Sequence, residues 1–269
     1  MIGIFDVFVF IFGAVVGSFL NATVYRVKNK EDFIVARSKC ESCNHVLSPL
    51  DLVPVLSYIF LRGKCRYCKE KIHKRDFFFE IITGIVFLLY FNFLSFNYLV
   101  NNSIFVYVNI ALYLIIICIF LYIGLYDFLY YEISDKLVLY SSIIIFIYFS
   151  VSYYFGYISL YSILNHVVTG IIVAGLFLFI ILITKGEGMG GGDMKLVFLM
   201  GLILGYPAIL YVLFVSFVLG AVIGLILILV KNKTLRSSIP FAPFLSSSII
   251  LYIIFSVYLL RLISYLYIR

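Results

Sequence analysis

Apolar runs about as long as a membrane is thick alternate along this chain with short polar connections. They fall at Ile4–Val24, Phe77–Phe96, Ser103–Leu125, Leu137–Phe155, Ile163–Thr184, Ile209–Val230 and Phe244–Tyr267, with a shorter run at Met194–Gly205. Crossing the hydrocarbon takes about 20 apolar residues, and lipid accepts only helices or closed barrels. The pattern predicts an all-α polytopic membrane protein. One long polar stretch interrupts it, so the expected division is a first transmembrane helix at 1–24, an extramembrane domain at 25–76 and a membrane domain at 77–269.

Composition sharpens the class. Of 269 residues, 64% are hydrophobic and 12% charged, and the mean hydropathy is +1.16. Soluble domains carry about 25% charge. A soluble chain this apolar could not cover its own surface.

The net charge of +7 is a topology signal, not a nucleic-acid footprint. Twelve of the 20 Lys and Arg lie between Arg26 and Arg75, and no basic stripe interleaved with aromatics occurs on a soluble domain. Cytoplasmic loops collect Lys and Arg, which puts the 25–76 domain in the cytoplasm. Asp6 and the lack of a basic start argue against a cleavable signal, so the first helix is expected to stay. If the short run after Asp193 crosses, the loop with Lys185 and Lys195 and the loop with Lys231, Lys233 and Arg236 share one side. Eight spans therefore satisfy the charge rule, with a small domain between helices 1 and 2. Small residues four apart (Gly13/Gly17, Gly201/Gly205, Gly220/Gly224) predict close helix packing. No internal repeat is evident.

Inside the polar domain, Cys40-Glu-Ser-Cys43 and Cys65-Arg-Tyr-Cys68 are separated by 21 residues. Two CxxC pairs so spaced suit a tetrathiolate zinc (Zn2+) site, four sulfurs filling a tetrahedron. Four protein ligands leave no open position, so the expected role is structural: a domain of this size lacks a large core, and a metal cross-link supplies stability. Two disulfides are the alternative, but they need an oxidising compartment. Cys118, alone in an apolar run, reads as a small filler.

Two acids interrupt the apolar pattern elsewhere. Asp127 follows the run ending Tyr122-Ile-Gly-Leu-Tyr126, and Asp193 ends Gly188-Met-Gly-Gly-Gly-Asp193. A charge at mid-span costs roughly 2.5–3.5 kcal/mol on insertion scales. Counting spans puts both aspartates at the cytoplasmic ends of their helices. Two carboxylates that meet share a proton, giving an acid and a base in one site: one activates water while the other protonates the carbonyl oxygen or leaving amine. The plain alternative for each is a helix cap or an interfacial side chain. Gly190, Gly191 and Gly192 cost helix stability, and their bare backbone could lie beside an extended substrate. A phosphate loop would need a Lys-Ser/Thr pair that is missing. Glu132 and Asp135 are expected in the loop after Asp127. Glu187 could help set the local field, Glu80 lies early in the second span with either a functional or a snorkelling role, and His45, His73 and His166 show no triad or ligand spacing.

With those residues in view, the chain resembles the bacterial type IV prepilin peptidases, aspartic proteases of the GxGD type. The resemblance is carried by Gly17-Ser-Phe-Leu-Asn21, Val53-Pro-Val-Leu-Ser-Tyr58, Leu61-Arg-Gly-Lys-Cys-Arg66, Glu80 with Thr83-Gly84, Gly188-Met-Gly-Gly-Gly-Asp-Met-Lys-Leu196 and Ile239-Pro-Phe-Ala-Pro-Phe244. It implies Asp127 and Asp193 as the catalytic pair and the four cysteines as the zinc ligands. It further implies a multi-pass protein of the bacterial cytoplasmic membrane. Its substrates would be type IV prepilin or pseudopilin precursors, cut after a glycine, and its second activity would be methylation of the new N-terminus with S-adenosylmethionine. Membrane lipid is the other implied partner. Departures fall at Ile133-Ser-Asp135, Lys74-Arg-Asp-Phe77 and Ala242, none on a catalytic atom. A proton- or ion-coupled transporter is the competing class; it calls for carboxylates near the midplane.

Overall fold

The computed structural model describes residues 3–32, 37–98, 104–186, 189–231 and 239–267, the side chains of 93–98, 231 and 257–267 apart. Glu187, Lys233 and Arg236 lie outside the described residues. Every expected apolar run is helical: α1 (Ile4–Lys28), α3 (Lys74–Tyr98), α4 (Ile104–Tyr130), α5 (Asp135–Tyr154), α6 (Leu160–Ile183), α7 (Gly191–Leu204), α8 (Ala208–Lys231) and α9 (Ala242–Tyr267), with a short α2 (Leu56–Phe60) in the polar stretch. Among the described residues, α1, α4, α5, α6 and α8 are long and apolar enough to cross a membrane. Helix α3 opens with Lys74, Arg75, Asp76 and Glu80. Helix α7, at 14 residues, is about 21 Å long against roughly 30 Å of hydrocarbon.

Two compact units divide the chain: Met1–Tyr122 with Ile253–Arg269, and Ile123–Tyr252. In the first, α1 packs along α3 because both helices present small residues there. A Cβ on Gly13 would stand 2.7 Å from Phe87 Cβ, and one on Gly17 would stand 2.9 Å from Thr83. Gly84 answers from α3, where a Cβ would meet Phe10 at 2.7 Å. Such close approach replaces the hydrophobic effect as the source of helix association in lipid. Asp6 reaches back to the Gly3 N–H (2.8 Å) at the start of α1, and Arg26 and Lys28 occupy its last turn, each charge complementing the helix dipole.

In the second unit the short α7 is the core. Leu196, Val197, Leu199, Met200 and Leu202 are fully buried, against α6 above all and also α5 and α8. A helix apolar on every side must be enclosed. Its last turn is held by α6: His166 Nδ1 lies 3.0 Å from the Leu202 carbonyl, and Asn165 donates to the Tyr206 carbonyl at 2.9 Å. The enclosing helices turn Ile144, Ile147, Phe179, Leu225 and Leu229 outward, a surface that calls for lipid.

The glycine pairs divide three ways. Gly13/Gly17 is a packing seam as expected. Gly201 is one too, with Gly170 Cα at 2.5 Å from its would-be Cβ, but Gly205 ends α7 at φ +64°. Among the described residues, Gly220 and Gly224 meet neighbours only at ordinary distances of 3.5–3.9 Å, so they do not form a third close seam there.

Gly201→Ala gains about 1 kcal/mol of helix propensity. It also drives a methyl group into the Gly170 and Thr169 backbone, which cannot swing aside, and overpacking costs about 1–3 kcal/mol. Thermal unfolding in detergent is expected to show a net loss for Gly201→Ala. Gly175→Ala, with nothing within 4 Å, is expected to be neutral or slightly stabilising.

Candidate functional site

Asp127 lies within the last turn of α4, the helix continuing to Tyr130 instead of ending before it. This position is unfavourable for an anion, because a helix C-terminus is the negative end of its dipole. The structure offsets that with a second helix. The backbone N–H of Ala242, first residue of α9, donates to Asp127 Oδ2 at 3.3 Å. An N-terminal N–H has no partner within its own helix, so the contact satisfies an orphan donor and brings a positive helix end to the carboxylate. Asp127 is 7% exposed and Ala242 is fully buried.

Asp193 is the third residue of α7 and is 9% exposed. Its carboxylate reaches back to the backbone of Gly190, the residue that caps the helix. A capping geometry is therefore present, as the plain alternative supposed, and it leaves the carboxylate buried in the same unit as Asp127. The negative field of Asp127 acts directly on Asp193. Two ties hold their segments together. Gly192 lies so close to Ile133, between α4 and α5, that a Cβ would meet its side chain at 3.1 Å. Lys195 on α7 also pairs with Asp135.

Gly190 is the N-cap of α7, and Gly191 and Gly192 are its first two residues. First-turn N–H groups lack intrahelical partners in any case, so glycine costs little there, and at 192 a Cβ would press tightly on the Ile133 side chain. Asp135 is likewise the first residue of α5, with only Glu132 left in the connection. The Ala242 contact was not found from sequence. Pro240 and Pro243 flank the start of α9, where proline is tolerated, but nothing local tells which carboxylate that start will meet. One turn along α9, the buried hydroxyl of Ser246 faces Gly124 and has no partner among the described residues.

The first unit carries the cysteines. Cys40, Cys43, Cys65 and Cys68 place their sulfurs within 4.8 Å of one another; all four are free thiols, and Cys40 Sγ to Cys68 Sγ is 3.8 Å. A disulfide needs about 2.05 Å. A tetrahedron with metal–sulfur bonds of about 2.3 Å has edges of about 3.8 Å, so the group could hold zinc. The backbone shows a repeat that the residues hid. Cys40 N–H donates to His45 O (3.0 Å) and Cys65 N–H to Glu70 O (2.8 Å). Lys39 bridges to Val46 and Lys64 to Lys71, and Asn44 and Lys69 take φ +56° and +62°. Two equivalent knuckles thus face one centre. His45 stacks on Tyr67 at 3.7 Å, while His73 approaches Glu41, away from the sulfurs' role.

Beside the knuckles, Asp51 accepts from Ser48 N–H (3.1 Å), Ser48 Oγ (2.8 Å) and Arg66 Nε (2.6 Å). Burial opposes its ionisation, but these donors outweigh it and hold the carboxyl below the usual range.

Comparison with known proteins adds the family. Residues 11–94 match the bacterial peptidase A24 N-terminal domain, a span holding the four cysteines and Glu80. Residues 114–225 match the type IV leader peptidase family, a span holding Asp127 and Asp193. A "Prepilin leader peptidase/N-methyltransferase" of Bacillus subtilis (strain 168) is 28% identical over 245 residues, covering 90% of this chain and 91% of the relative. Proteins of the same name from Aeromonas hydrophila and Pseudomonas putida are each 28% identical, covering 88% of this chain and 86% and 85% of theirs. No solved structure matches the chain. Over most of its length, the chain belongs to the type IV leader peptidase family.

Proposed function

We propose that this protein is a membrane aspartyl endopeptidase. It removes the basic leader of type IV prepilins and pseudopilins after a glycine, at the cytoplasmic face of the bacterial inner membrane. The observation that carries the reading is the placement of Asp127 and Asp193 in one unit, both buried and within electrostatic reach, inside the segment that matches the leader peptidase family. One carboxylate takes a proton from water while the other protonates the carbonyl oxygen or the departing amine. A prepilin crosses from a basic leader into an apolar helix, so its scissile bond lies near the interface, where helix ends lie. The transporter reading is not favoured by the family.

The relatives' names carry a second activity, N-methyl transfer, and this protein is proposed to share it, with S-adenosylmethionine as donor. The four thiols are proposed to hold a structural zinc ion in the cytoplasm, in place of the core that the knuckles lack.

Asp127→Asn and Asp193→Asn keep shape and remove one acid–base partner each. Either is expected to lower cleavage of a prepilin peptide by about 10²–10⁴-fold, read by mass spectrometry, with the thermal midpoint preserved. Full cleavage by either variant would falsify the pair. Cys40→Ser or Cys65→Ser is expected to reduce the zinc found by elemental analysis and to lower the stability of the knuckles. A group whose carboxyl is depressed on folding stabilises above its unfolded value and loses that contribution as pH falls through the folded one. The stability gap between wild type and Asp51→Asn is therefore expected to be full at pH 7 and to close below about pH 4.

A further inference from the structure

Between α1 and α3 the chain does not stand clear of the helices; it folds back beside them. Val55, which opens α2, donates its N–H to Glu80 Oε2 at 2.8 Å, and the Ser18 side chain reaches the same carboxylate from α1. Tyr58, in the middle of α2, stacks on Phe77 with ring centroids 4.7 Å apart. Glu80 lies six residues after Lys74, the first residue of α3, and Ser18 lies eight before Arg26 in the last turn of α1. At 1.5 Å per residue those are about 9 Å and about 12 Å inward from the basic helix ends. Basic ends of spans lie at the headgroups, so α2 is held below them, at the depth of the acyl chains.

The outward side of α2 suits that depth. Leu56, Ile59 and Phe60 recur at i, i+3 and i+4, so they share one side of the helix, and they are 51%, 55% and 80% exposed. Ser57 and Tyr58, between them, are half-buried. At the same level the neighbouring helices also turn rings outward, Phe19 next to Ser18 and Phe78 next to Phe77. The chain then becomes basic. Arg62 and Lys64 follow α2, both exposed, and among the described residues neither pairs with an acid. An apolar helix face followed by cations is the pattern of an interfacial helix, with apolar side chains among lipid tails and cations at the phosphates.

We propose that α2 is embedded in the membrane leaflet on the basic side, with Leu56, Ile59 and Phe60 among the lipid chains and Arg62 and Lys64 against anionic headgroups. The stretch 25–76 is then not a water-borne domain tethered by two helices. The leaflet covers one of its faces and holds the knuckles close to the bilayer. A second copy of this chain, or an apolar segment of a substrate, would also offer apolar surface to α2. Neither accounts for anchoring contacts at Glu80 and Phe77 that set the face at the depth of the chains, with cations at its edge. This placement depends on α1 crossing the membrane and is independent of the chemistry at Asp127 and Asp193.

The chain contains no tryptophan, so a single introduced indole reports its own surroundings. Full-length Phe60→Trp is reconstituted into vesicles of phosphatidylcholine and phosphatidylglycerol, part of the phosphatidylcholine carrying bromine at a chosen acyl carbon. Its emission is expected to be blue-shifted and to resist quenching by aqueous iodide. Bromines in the upper acyl chain, about 5–10 Å deep, are expected to remove about half of it. Ile11→Trp, on the outward side of α1, is the deeper reference, quenched most by bromines nearer the chain ends. Water-like emission from Phe60→Trp, open to iodide and indifferent to bromolipid, overturns the proposal. Shielding that grows with protein density without bromolipid quenching assigns the face to a second copy and overturns it too. Shielding that appears only when a prepilin peptide is added assigns it to substrate, with the same result. Should Phe60→Trp fail to fold, Ile59→Trp poses the same question with the same outcomes. Arg62→Glu combined with Lys64→Glu is expected to lower the bromolipid quenching of Phe60→Trp; unchanged quenching overturns the headgroup contact.

Discussion

Inside hydrocarbon a backbone group without a partner costs several kcal/mol, and this constraint arranges the rest of the molecule. It makes every apolar run a helix and leaves helix ends as the places where spare donors exist. Acids gather at those donors. Asp6 caps α1, Asp193 reaches back at the head of α7, and Asp127 receives the first N–H of α9. The same logic in the polar domain gives Asp51 its Ser48 donor. A buried carboxylate in a membrane thus needs a structural partner to be there at all, so a capping contact and a chemical role do not exclude each other.

Close packing is the second theme, and it is uneven. Glycine serves as a true seam at Gly13, Gly17 and Gly84, where side chains of the facing helix crowd in, and at Gly201, where backbone meets backbone. At Gly192 it clears space for Ile133, and so sets the distance between the segment after Asp127 and the segment starting at Asp193. Spacing alone does not separate these uses from Gly220 and Gly224, where a side chain could fit.

The polar domain shows the opposite economy. Its knuckles bury little, yet two equivalent turns aim four sulfurs at one point, so a single ion could replace a hydrophobic core. Beside the knuckles, Val55 takes φ +63° and donates its N–H to Glu80 of α3.

Hydropathy needs only neighbouring residues, so all eight helices could be read from the chain, as could the CxxC pairs, whose geometry is local. Family likeness likewise rested on contiguous motifs, one of which contains Asp193. Helix ends were less legible: α4 carries Asp127 inside it, and α7 absorbs the glycines, because the first and last turns depend on partners elsewhere. The CxxC spacing pointed to two knuckles, but their matching backbone hydrogen bonds came only with the structure. Which donor meets Asp127 and which glycines crowd a neighbouring helix were settled only when residues far apart in sequence were brought together. Sequence alone determined where the chain would be helical and which groups could do chemistry; tertiary structure decided which of them meet, because contacts between helices depend on packing that no single segment encodes.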